Sequence, residues 1–319
     1  MLSRREVLMM APLSAAALRQ ATRVPAGAAQ PSTTVSFDVP AGACDCHTHV
    51  FGDPRQFPFA PNRTYTPESA SVDEMRKLHR ALHTTRVVIV QPSVYGTDNR
   101  CTLDGIKQLG RNARGIAVID DQTSDAMLDE MDHAGIRGIR INLATVGQTD
   151  PDLGRRRFEA TVKRIGTRKW HVQIFTQLSV IEAMQKDVAA ASVPVVFDHF
   201  GGAQASSGTS QRGFDVLVDL VRSGRAFVKV SAPYRGSSAA PDFADMGPLA
   251  KALIAANVRR ILWGTDWPHP DTTPGRAPTE ISPLRQIDDG RVFNEFAAWA
   301  SAAQRQTILV DNPKELYGF

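Results

Sequence analysis

Eight short apolar runs, separated by stretches with helical spacing, constrain the fold more than any other feature of this 319-residue chain. Several are rich in valine and isoleucine, which is typical of parallel strands that are buried on both faces. The runs cover residues 43–51, 86–94, 114–120, 136–143, 171–177, 194–200, 226–232 and 260–267. Strands that alternate with helices indicate repeated βα units, and eight such units predict an α/β fold, a (β/α)8 TIM barrel.

The stretches between the runs place apolar residues on one helical face. They include residues 72–83, 125–134, 158–168, 180–191, 214–223 and 246–257, with a closing helix at 292–303 and a helical cap at 311–317. An open doubly wound sheet is the alternative fold. It would normally have a glycine-rich phosphate loop after the first strand, where this chain has two histidines. We therefore predict one barrel domain over residues 30–319.

Residues 1–29 have the features of an export signal. A twin-arginine pattern, Arg4 and Arg5, precedes an apolar segment at 7–18 that is too short to span a bilayer. Small residues at 26–29 suit a signal peptidase. We predict a twin-arginine-type signal peptide over 1–29 and a periplasmic mature protein with no membrane span after processing, an uncleaved anchor being the alternative.

The signal segment also explains most of the positive charge. Four arginines and one glutamate in residues 1–29 account for +3 of the formal net charge of +4. The remaining domain is nearly neutral, so the sequence predicts no nucleic-acid partner. The three cysteines are too few, and odd in number, for a disulfide framework. Cys44 and Cys46 have the opposite strand parity from His47 and His49, which predicts that they face the helical layer.

His47 and His49 stand one residue apart at the end of the first predicted strand, so their imidazoles point to the same side of the sheet. Two rings aimed at one point can hold a metal ion, a polarised carbonyl or a water. Barrel enzymes place their chemistry at this end of the strands. An isolated pair of this kind is also compatible with one loop-capping histidine and one exposed histidine.

Polar groups also lie at the ends of the other strands, where burial is costly unless they are paired. They are Gln91, Ser93, Arg140, Asn142, Asp198, His199, Lys229, Ser231, Tyr234, Arg235, Asp266 and His269. His199 and Asp266 are the strongest catalytic candidates. Asp198 is interpreted as a structural partner and Lys229 as a solvated or ion-paired residue, while His269 stays open. His79, His83, His133 and His171 are assigned to surface or packing roles.

At these residues the chain resembles the amidohydrolase superfamily, and within it the amidohydrolase-2 group of pyrone-dicarboxylate lactonases and galactarolactone isomerases. The resemblance covers residues 43–319. Its motifs are DCHTHVFG at 45–52, RTYTP at 63–67, RGIRIN at 137–142, DHFG at 198–201, LWGTDWP at 262–268 and DNP at 311–313.

The residue types and the resemblance together imply hydrolysis of a lactone. This reaction needs a base to activate water and a group to polarise the carbonyl. Asp266 is the predicted base, and His47, His49 and His199 are the predicted catalytic hydrogen-bond donors to the carbonyl oxygen, or else ligands of a divalent metal.

The resemblance also bears on the cofactor. Many amidohydrolases hold zinc with further ligands on strands four and five, but this chain has Arg140 on strand four and no histidine at the mouth of strand five. We therefore favour no cofactor. If one divalent metal such as zinc is present, His47, His49 and Asp266 are the expected ligands. A zinc-dependent hydrolase or decarboxylase is the corresponding alternative.

The predicted partner is a small carboxylate-bearing substrate, since guanidinium groups match a carboxylate in a bidentate fashion. The candidate binding residues are Tyr65, Ser93, Arg140, Tyr234 and Arg235. Two arginines of the pyrone-dicarboxylate lactonase pattern are replaced by Val146 and Gly202. Their loss fits a substrate with one carboxylate, such as a sugar-acid lactone, and either hydrolysis or isomerisation. A non-enzymatic binder of a carbohydrate acid would use the arginines but not Asp266.

Overall fold

A computed structural model of the protein describes residues 27–145, 147–272 and 275–319. The predicted twin-arginine signal, with Arg4 and Arg5, lies outside the described residues. In the described part of the chain, none of the helices combines the length and the apolar character that a membrane crossing requires.

Eight parallel strands form the central sheet, each bonded to the next in chain order. They are β1 Cys44–Thr48, β2 Arg86–Val90, β3 Ala113–Ala117, β4 Ile136–Asn142, β5 His171–Phe175, β6 Val195–Phe197, β7 Ala226–Ser231 and β8 Ile261–Gly264. Every strand lies within its predicted run, except that β3 begins one residue earlier. The first and last strands also meet, because the amide of Asp266 donates to the His47 carbonyl at 2.8 Å and that of His49 to the Trp267 carbonyl at 2.8 Å. The barrel prediction is confirmed and the open-sheet alternative is wrong.

Helices cover the outside of the barrel. They are α1 Val72–Ala81, α2 Arg100–Leu109, α3 Asp125–Ala134, α4 Pro151–Ile165, α5 Leu178–Ala183, α6 Gln185–Ala190, α7 Phe214–Arg222, α8 Gly247–Asn257, α9 Asp289–Trp299, α10 Ala302–Gln306 and α11 Asn312–Tyr317. Helix α2 was not among the predicted segments. Helix α4 begins seven residues earlier than predicted, because the Asp150 side chain caps it and Pro151 suits the first turn. The segment predicted at 180–191 is divided at Met184 into two short helices.

The lower interior of the barrel, at the N-terminal ends of the strands, is apolar and is closed by the last helix. Cys44 and Cys46 belong to a buried cluster with inward-facing residues of β2, β3, β6, β7 and β8, and Tyr317 of α11 completes it. The prediction that the cysteines face the helical layer is wrong. The pairing of β1 with β2 shifts register between Asp45 and Thr48, so simple alternation does not hold from Cys46 to His47.

Residues before β1 are tied to the barrel near its eighth strand. The hydroxyls of Ser32 and Thr33 donate to the Asp288 carboxylate at 2.7 and 2.6 Å. The buried indole of Trp267 donates to the carbonyl of Ala29 at 2.9 Å. The contact at Ala29 therefore lies at the predicted boundary between signal and domain.

Candidate active site

Asp266 is the centre of the polar cluster at the C-terminal end of the barrel. It follows β8 with a φ of 67°, a left-handed backbone that is unusual outside glycine and that recurs at functional sites. The carboxylate of Asp45 holds this turn, since it accepts from the Thr265 amide at 3.0 Å and the Thr265 hydroxyl at 2.7 Å. Asp45 also accepts from the His47 amide at 3.2 Å, and so fixes β1 to the turn.

Three histidines converge on one oxygen of Asp266. The Nε2 atoms of His49, His47 and His199 lie 3.2, 3.4 and 3.7 Å from Oδ1. All four residues are buried. The residues predicted to be catalytic from strands one, six and eight are thus close together, around a single point at the mouth of the barrel.

The other oxygen, Oδ2, is held by the β7 loop. The Tyr234 hydroxyl donates to it at 2.6 Å, and Arg235 approaches it with Nε at 2.9 Å and Nη2 at 2.8 Å. Burial alone would raise the pKa of Asp266, but Arg235 and the histidines outweigh it and keep that pKa well below its usual value. Asp266 is therefore a carboxylate with one saturated oxygen and one oxygen directed at the imidazoles.

The imidazoles of His47 and His199 are neutral at neutral pH. Burial lowers the pKa of His47 to about 3, against the opposing effect of Asp198, and burial also lowers the pKa of His199 well below its usual value. Their Nε2 atoms are buried and have no hydrogen-bond partner among the described residues. Two such atoms beside a carboxylate oxygen form a place for a ligand oxygen, a water or a cation.

The second ring nitrogens have different partners. His49 Nδ1 lies 2.7 Å from the Val90 carbonyl, and His199 Nδ1 lies 2.9 Å from the Ser231 hydroxyl. His47 Nδ1 has both Asp198 Oδ1 at 3.2 Å and Lys229 Nζ at 3.3 Å beside it. These contacts fix the orientation of each ring toward Asp266.

A buried ionic network lies beneath the histidines. Lys229 and Asp198 are fully buried and 3.5 Å apart, so Lys229 is ion-paired and the solvated alternative is wrong. The second oxygen of Asp198 accepts from Gln173 at 3.1 Å and Arg140 at 3.3 Å. Burial opposes ionisation of Asp198, but His47 and Lys229 keep its pKa well below the usual value.

The cluster opens to solvent through two small cavities that share Arg235 and Phe175. One has a volume of about 280 Å³ and is also lined by His199, Tyr234 and Arg285. The other has a volume of about 170 Å³ and includes Tyr65. A substrate reaching Asp266 would pass Phe175, whose ring contacts His199 at a centroid separation of 4.9 Å.

The predicted substrate-binding residues are divided between the cavities and the buried network. Arg235 and Tyr65 line the cavities, and Ser93 lies near Tyr65. Burial raises the pKa of Tyr65 to about 12, so it is a neutral hydrogen-bonding group. Tyr234 contacts Asp266 directly, whereas Arg140 is engaged by Asp198 and lies over the Phe175 ring at 5.5 Å.

Arg285, which no sequence pattern indicated, lines the larger cavity and is paired with Asp271. It follows β8 by about twenty residues, in a region without a strand-end signal. His269, which the sequence left open, is buried and bound to Asp289 at 2.9 Å, and its ring lies edge-on to Tyr234. We therefore assign His269 a structural role, in which its ring packs against Tyr234 and holds it in place.

The donors present are compatible with a divalent cation. His47, His49 and Asp266 have ligand atoms within 4.8 Å of one another, and so do His47, Asp198 and His199. Three protein ligands are the usual set of a catalytic zinc site, and the unpartnered Nε2 atoms of His47 and His199 would be ligands only in the tautomer that has a lone pair on Nε2. The first set is the one expected from the sequence.

A TIM barrel with a His-x-His pair at the end of its first strand and an aspartate after its eighth defines the amidohydrolase class. The amidohydrolase family model matches residues 44–319, and the chain belongs to this family.

Individual relatives span nearly the same length. The chain is 34% identical over 293 residues to a 2-pyrone-4,6-dicarboxylate hydrolase of Comamonas testosteroni, covering 88% of this chain and 92% of that protein. It is 32% identical over 286 residues to a 4-sulfomuconolactone hydrolase of Hydrogenophaga intermedia, covering 88% and 90%. A crystal structure of an apo protein from Agrobacterium tumefaciens, 24% identical, has the same fold with a TM-score of 0.73, covering 91% of this chain and 98% of that one.

Proposed function

We propose that this protein hydrolyses a carboxylate-bearing lactone. The observation that supports this most is the convergence of three imidazole Nε2 atoms on Oδ1 of an ionised aspartate, within 3.2 to 3.7 Å. Both relatives described above are lactone hydrolases, which supports the same reaction class.

In the proposed reaction, Asp266 Oδ1 accepts a proton from water as the water oxygen bonds to the lactone carbonyl carbon. The carbonyl oxygen becomes an oxyanion and accepts hydrogen bonds from those buried imidazoles that carry a proton on Nε2, which need no reorganisation to donate. The ring C–O bond then breaks, and the leaving oxygen receives the proton that Asp266 accepted. The product is the open hydroxy acid.

Arg235 connects substrate binding to the strength of the base. In this structure it neutralises Asp266, and a carboxylate with so low a pKa is a weak base. A substrate carboxylate that draws the guanidinium away from Oδ2 would remove this neutralisation and raise the pKa of Asp266. Bound substrate would thus strengthen the base that acts on it.

We propose a substrate with one carboxylate, such as a sugar-acid lactone, in preference to a dicarboxylated pyrone. Val146 and Gly202 occupy positions that are cationic in the pyrone-dicarboxylate pattern. An added Cβ on Gly202 would lie 2.7 Å from the Thr176 carbonyl oxygen, so the backbone leaves no room for a side chain. Arg285 lines the larger cavity, as Gly202 does, but it is bound to Asp271, which partly neutralises its charge.

We propose that the reaction needs no metal. This proposal is independent of the proposal that the protein hydrolyses a lactone. If a divalent ion such as zinc is bound, His47, His49 and Asp266 would hold it, and it would supply an activated water and a polarised carbonyl. A panel of sugar-acid and aromatic-catabolism lactones, assayed with and without chelator, tests both points. We expect ring opening that resists the chelator. Products followed by NMR would show an open acid for hydrolysis and a new lactone for isomerisation, and no turnover of any lactone would contradict the proposal.

We also propose that the protein is exported to the periplasm, on the basis of the twin-arginine pattern at residues 3–8 and the apolar segment after it. Changing Arg4 and Arg5 to lysine should retain the protein in the cytoplasm on fractionation, and periplasmic recovery of that variant would contradict the proposal. The mass of the N-terminal peptide of the exported protein will identify the cleavage site of the signal peptide. We expect the cut at the predicted boundary after residue 29, next to the point where the Ala29 carbonyl accepts from Trp267.

A further inference from the structure

His47 Nδ1 has two neighbours that demand opposite tautomers of the ring. A carboxylate such as Asp198 can only accept a hydrogen bond, which requires the proton on Nδ1 and leaves a lone pair on Nε2. A lysine ammonium such as Lys229 can only donate, which requires the lone pair on Nδ1 and places the proton on Nε2. The two distances, 3.2 Å to Asp198 Oδ1 and 3.3 Å to Lys229 Nζ, are nearly equal.

The geometry of these two contacts favours a hydrogen bond from Lys229 to His47 Nδ1. The contact from Lys229 Nζ to His47 Nδ1 has hydrogen-bond geometry, and Lys229 is held in position by a second bond to Gln173 Oε1 at 2.7 Å. Asp198 Oδ1, although close, has no hydrogen-bond partner among the described residues. The other oxygen of Asp198 is engaged by Gln173 and Arg140.

The far side of the ring supports the same tautomer. His47 Nε2 lies 3.4 Å from Asp266 Oδ1, which is an acceptor. A proton on Nε2 is attracted to this carboxylate, whereas a lone pair would be repelled by it. Both ends of the ring therefore favour the Nε2–H form.

We propose that Lys229 is a positioning residue that holds His47 as the Nε2–H tautomer, so that His47 presents a proton rather than a lone pair to the ligand. This makes His47 a hydrogen-bond donor and a poor metal ligand. His49 differs, because its Nδ1 donates to the Val90 carbonyl. The two members of the His-x-His pair are thereby given different roles by their second nitrogens.

The role of this proton in polarising a lactone carbonyl rests on the proposed function, but the tautomer itself does not. The direct test is ¹⁵N NMR of the protein as purified, since protonated and unprotonated imidazole nitrogens differ widely in chemical shift. The His47 signals are assigned by their loss in His47→Gln. We expect Nε2 protonated and Nδ1 unprotonated, and a proton on Nδ1 would overturn the proposal.

Two variants separate the influence of the neighbours. In Lys229→Met, Asp198 becomes the only partner of Nδ1, so the proton should move to Nδ1. In Asp198→Asn, Lys229 remains and the proton should stay on Nε2. The double variant removes both charges beside Nδ1 and leaves Asp266 on the far side of the ring, so there the proton should be on Nε2. A fixed Nε2–H form in every variant would overturn the assignment to Lys229.

Kinetics and zinc titration supply the functional readouts. Because Lys229 is fully buried and lines neither of the two cavities, its replacement should lower kcat by at least tenfold with little change in KM. Zinc added to the purified methionine variant should bind at least tenfold more tightly than to wild type, as measured by calorimetry. Equal zinc affinity of the methionine variant and wild type would overturn the inference that Lys229 makes His47 a poor metal ligand. A chain that shows the expected tautomers yet hydrolyses no lactone would contradict the proposed function and leave this inference standing.

Discussion

At the scale of single residues, the two oxygens of Asp266 have different surroundings. Oδ2 is saturated by Tyr234 and Arg235, whereas Oδ1 faces three imidazoles. The sequence could nominate His47, His199 and Asp266, because strand ends in a barrel converge. It could not show that Tyr234 and Arg235 bind the carboxylate of Asp266 and not only a substrate. That contact depends on how the loop after β7 folds back.

Arg235 provides the residue-scale prediction. Arg235→Gln should lower kcat/KM about 10- to 100-fold for a carboxylate-bearing lactone, since a hydrogen bond to a charged group contributes about 1.5–3 kcal/mol. A matched lactone without the carboxylate should be much less affected. Arg291→Gln, which changes an exposed arginine bound to Asp242, is the control. An equal loss on both lactones would show that Arg235 does not bind the carboxylate.

At the scale of elements, the runs of valine and isoleucine located all eight strands, because buried parallel strands must be apolar throughout. Helix starts were harder, since Asp150 and Pro151 move α4 upstream of its apolar pattern. The register shift in β1 was not visible either, because it depends on the pairing of Asp45 with the turn at Thr265. It reversed the predicted facing of the cysteines.

The C-terminal helix gives an element-scale prediction. Asn312 ties α11 to the barrel through the carbonyls of Val258 at 2.8 Å and Ile261 at 2.7 Å, which explains the terminal DNP motif. Tyr317 then fills the lower interior and is fully buried. Tyr317→Ala should lower the free energy of unfolding by about 3–5 kcal/mol, as large aromatic truncations do.

The matched control is Tyr317→Phe. The Tyr317 hydroxyl has no hydrogen-bond partner among the described residues, so its removal should change stability by less than about 1 kcal/mol. Urea unfolding of both variants measures the difference. A stable alanine variant would show that Tyr317 does not close the barrel, and a phenylalanine variant as weak as alanine would show that the hydroxyl and not the ring is responsible.

At the scale of the whole molecule, the closed barrel was predictable because eight βα units admit few arrangements. The buried ionic network was not, since Gln173 lies on β5, Asp198 directly after β6 and Lys229 on β7. Only the closed ring brings them together beneath His47. The same burial couples global stability to pH.

We predict that the protein loses stability steadily as the pH falls from about 6.5 toward 4. Burial lowers the pKa values of His47 and His171 from 6.5 to about 3, and that of His199 is also well below 6.5. Between these values the unfolded chain binds more protons than the folded one, so acid favours unfolding, by about 1.4 kcal/mol per pH unit for each proton.

Denaturant unfolding across this pH range measures the effect. His171 lies at the start of β5 against Tyr317, at the opposite end of that strand from Phe175, so His171→Gln should reduce the slope by about one proton. A pH-independent stability between 4 and 6.5 would contradict the assignment of neutral buried histidines.

The central claim is that Asp266 is the base of a lactone hydrolase, and Asp266→Asn tests it most directly. The measurement pairs kcat on the best lactone of the panel with the dissociation constant of the open acid, with Asp288→Asn as a control at an aspartate that binds Ser32 and Thr33. We predict that kcat falls about 10²- to 10⁴-fold in Asp266→Asn, the range of general base catalysis, while the acid still binds. Turnover within a few-fold of wild type would contradict the account.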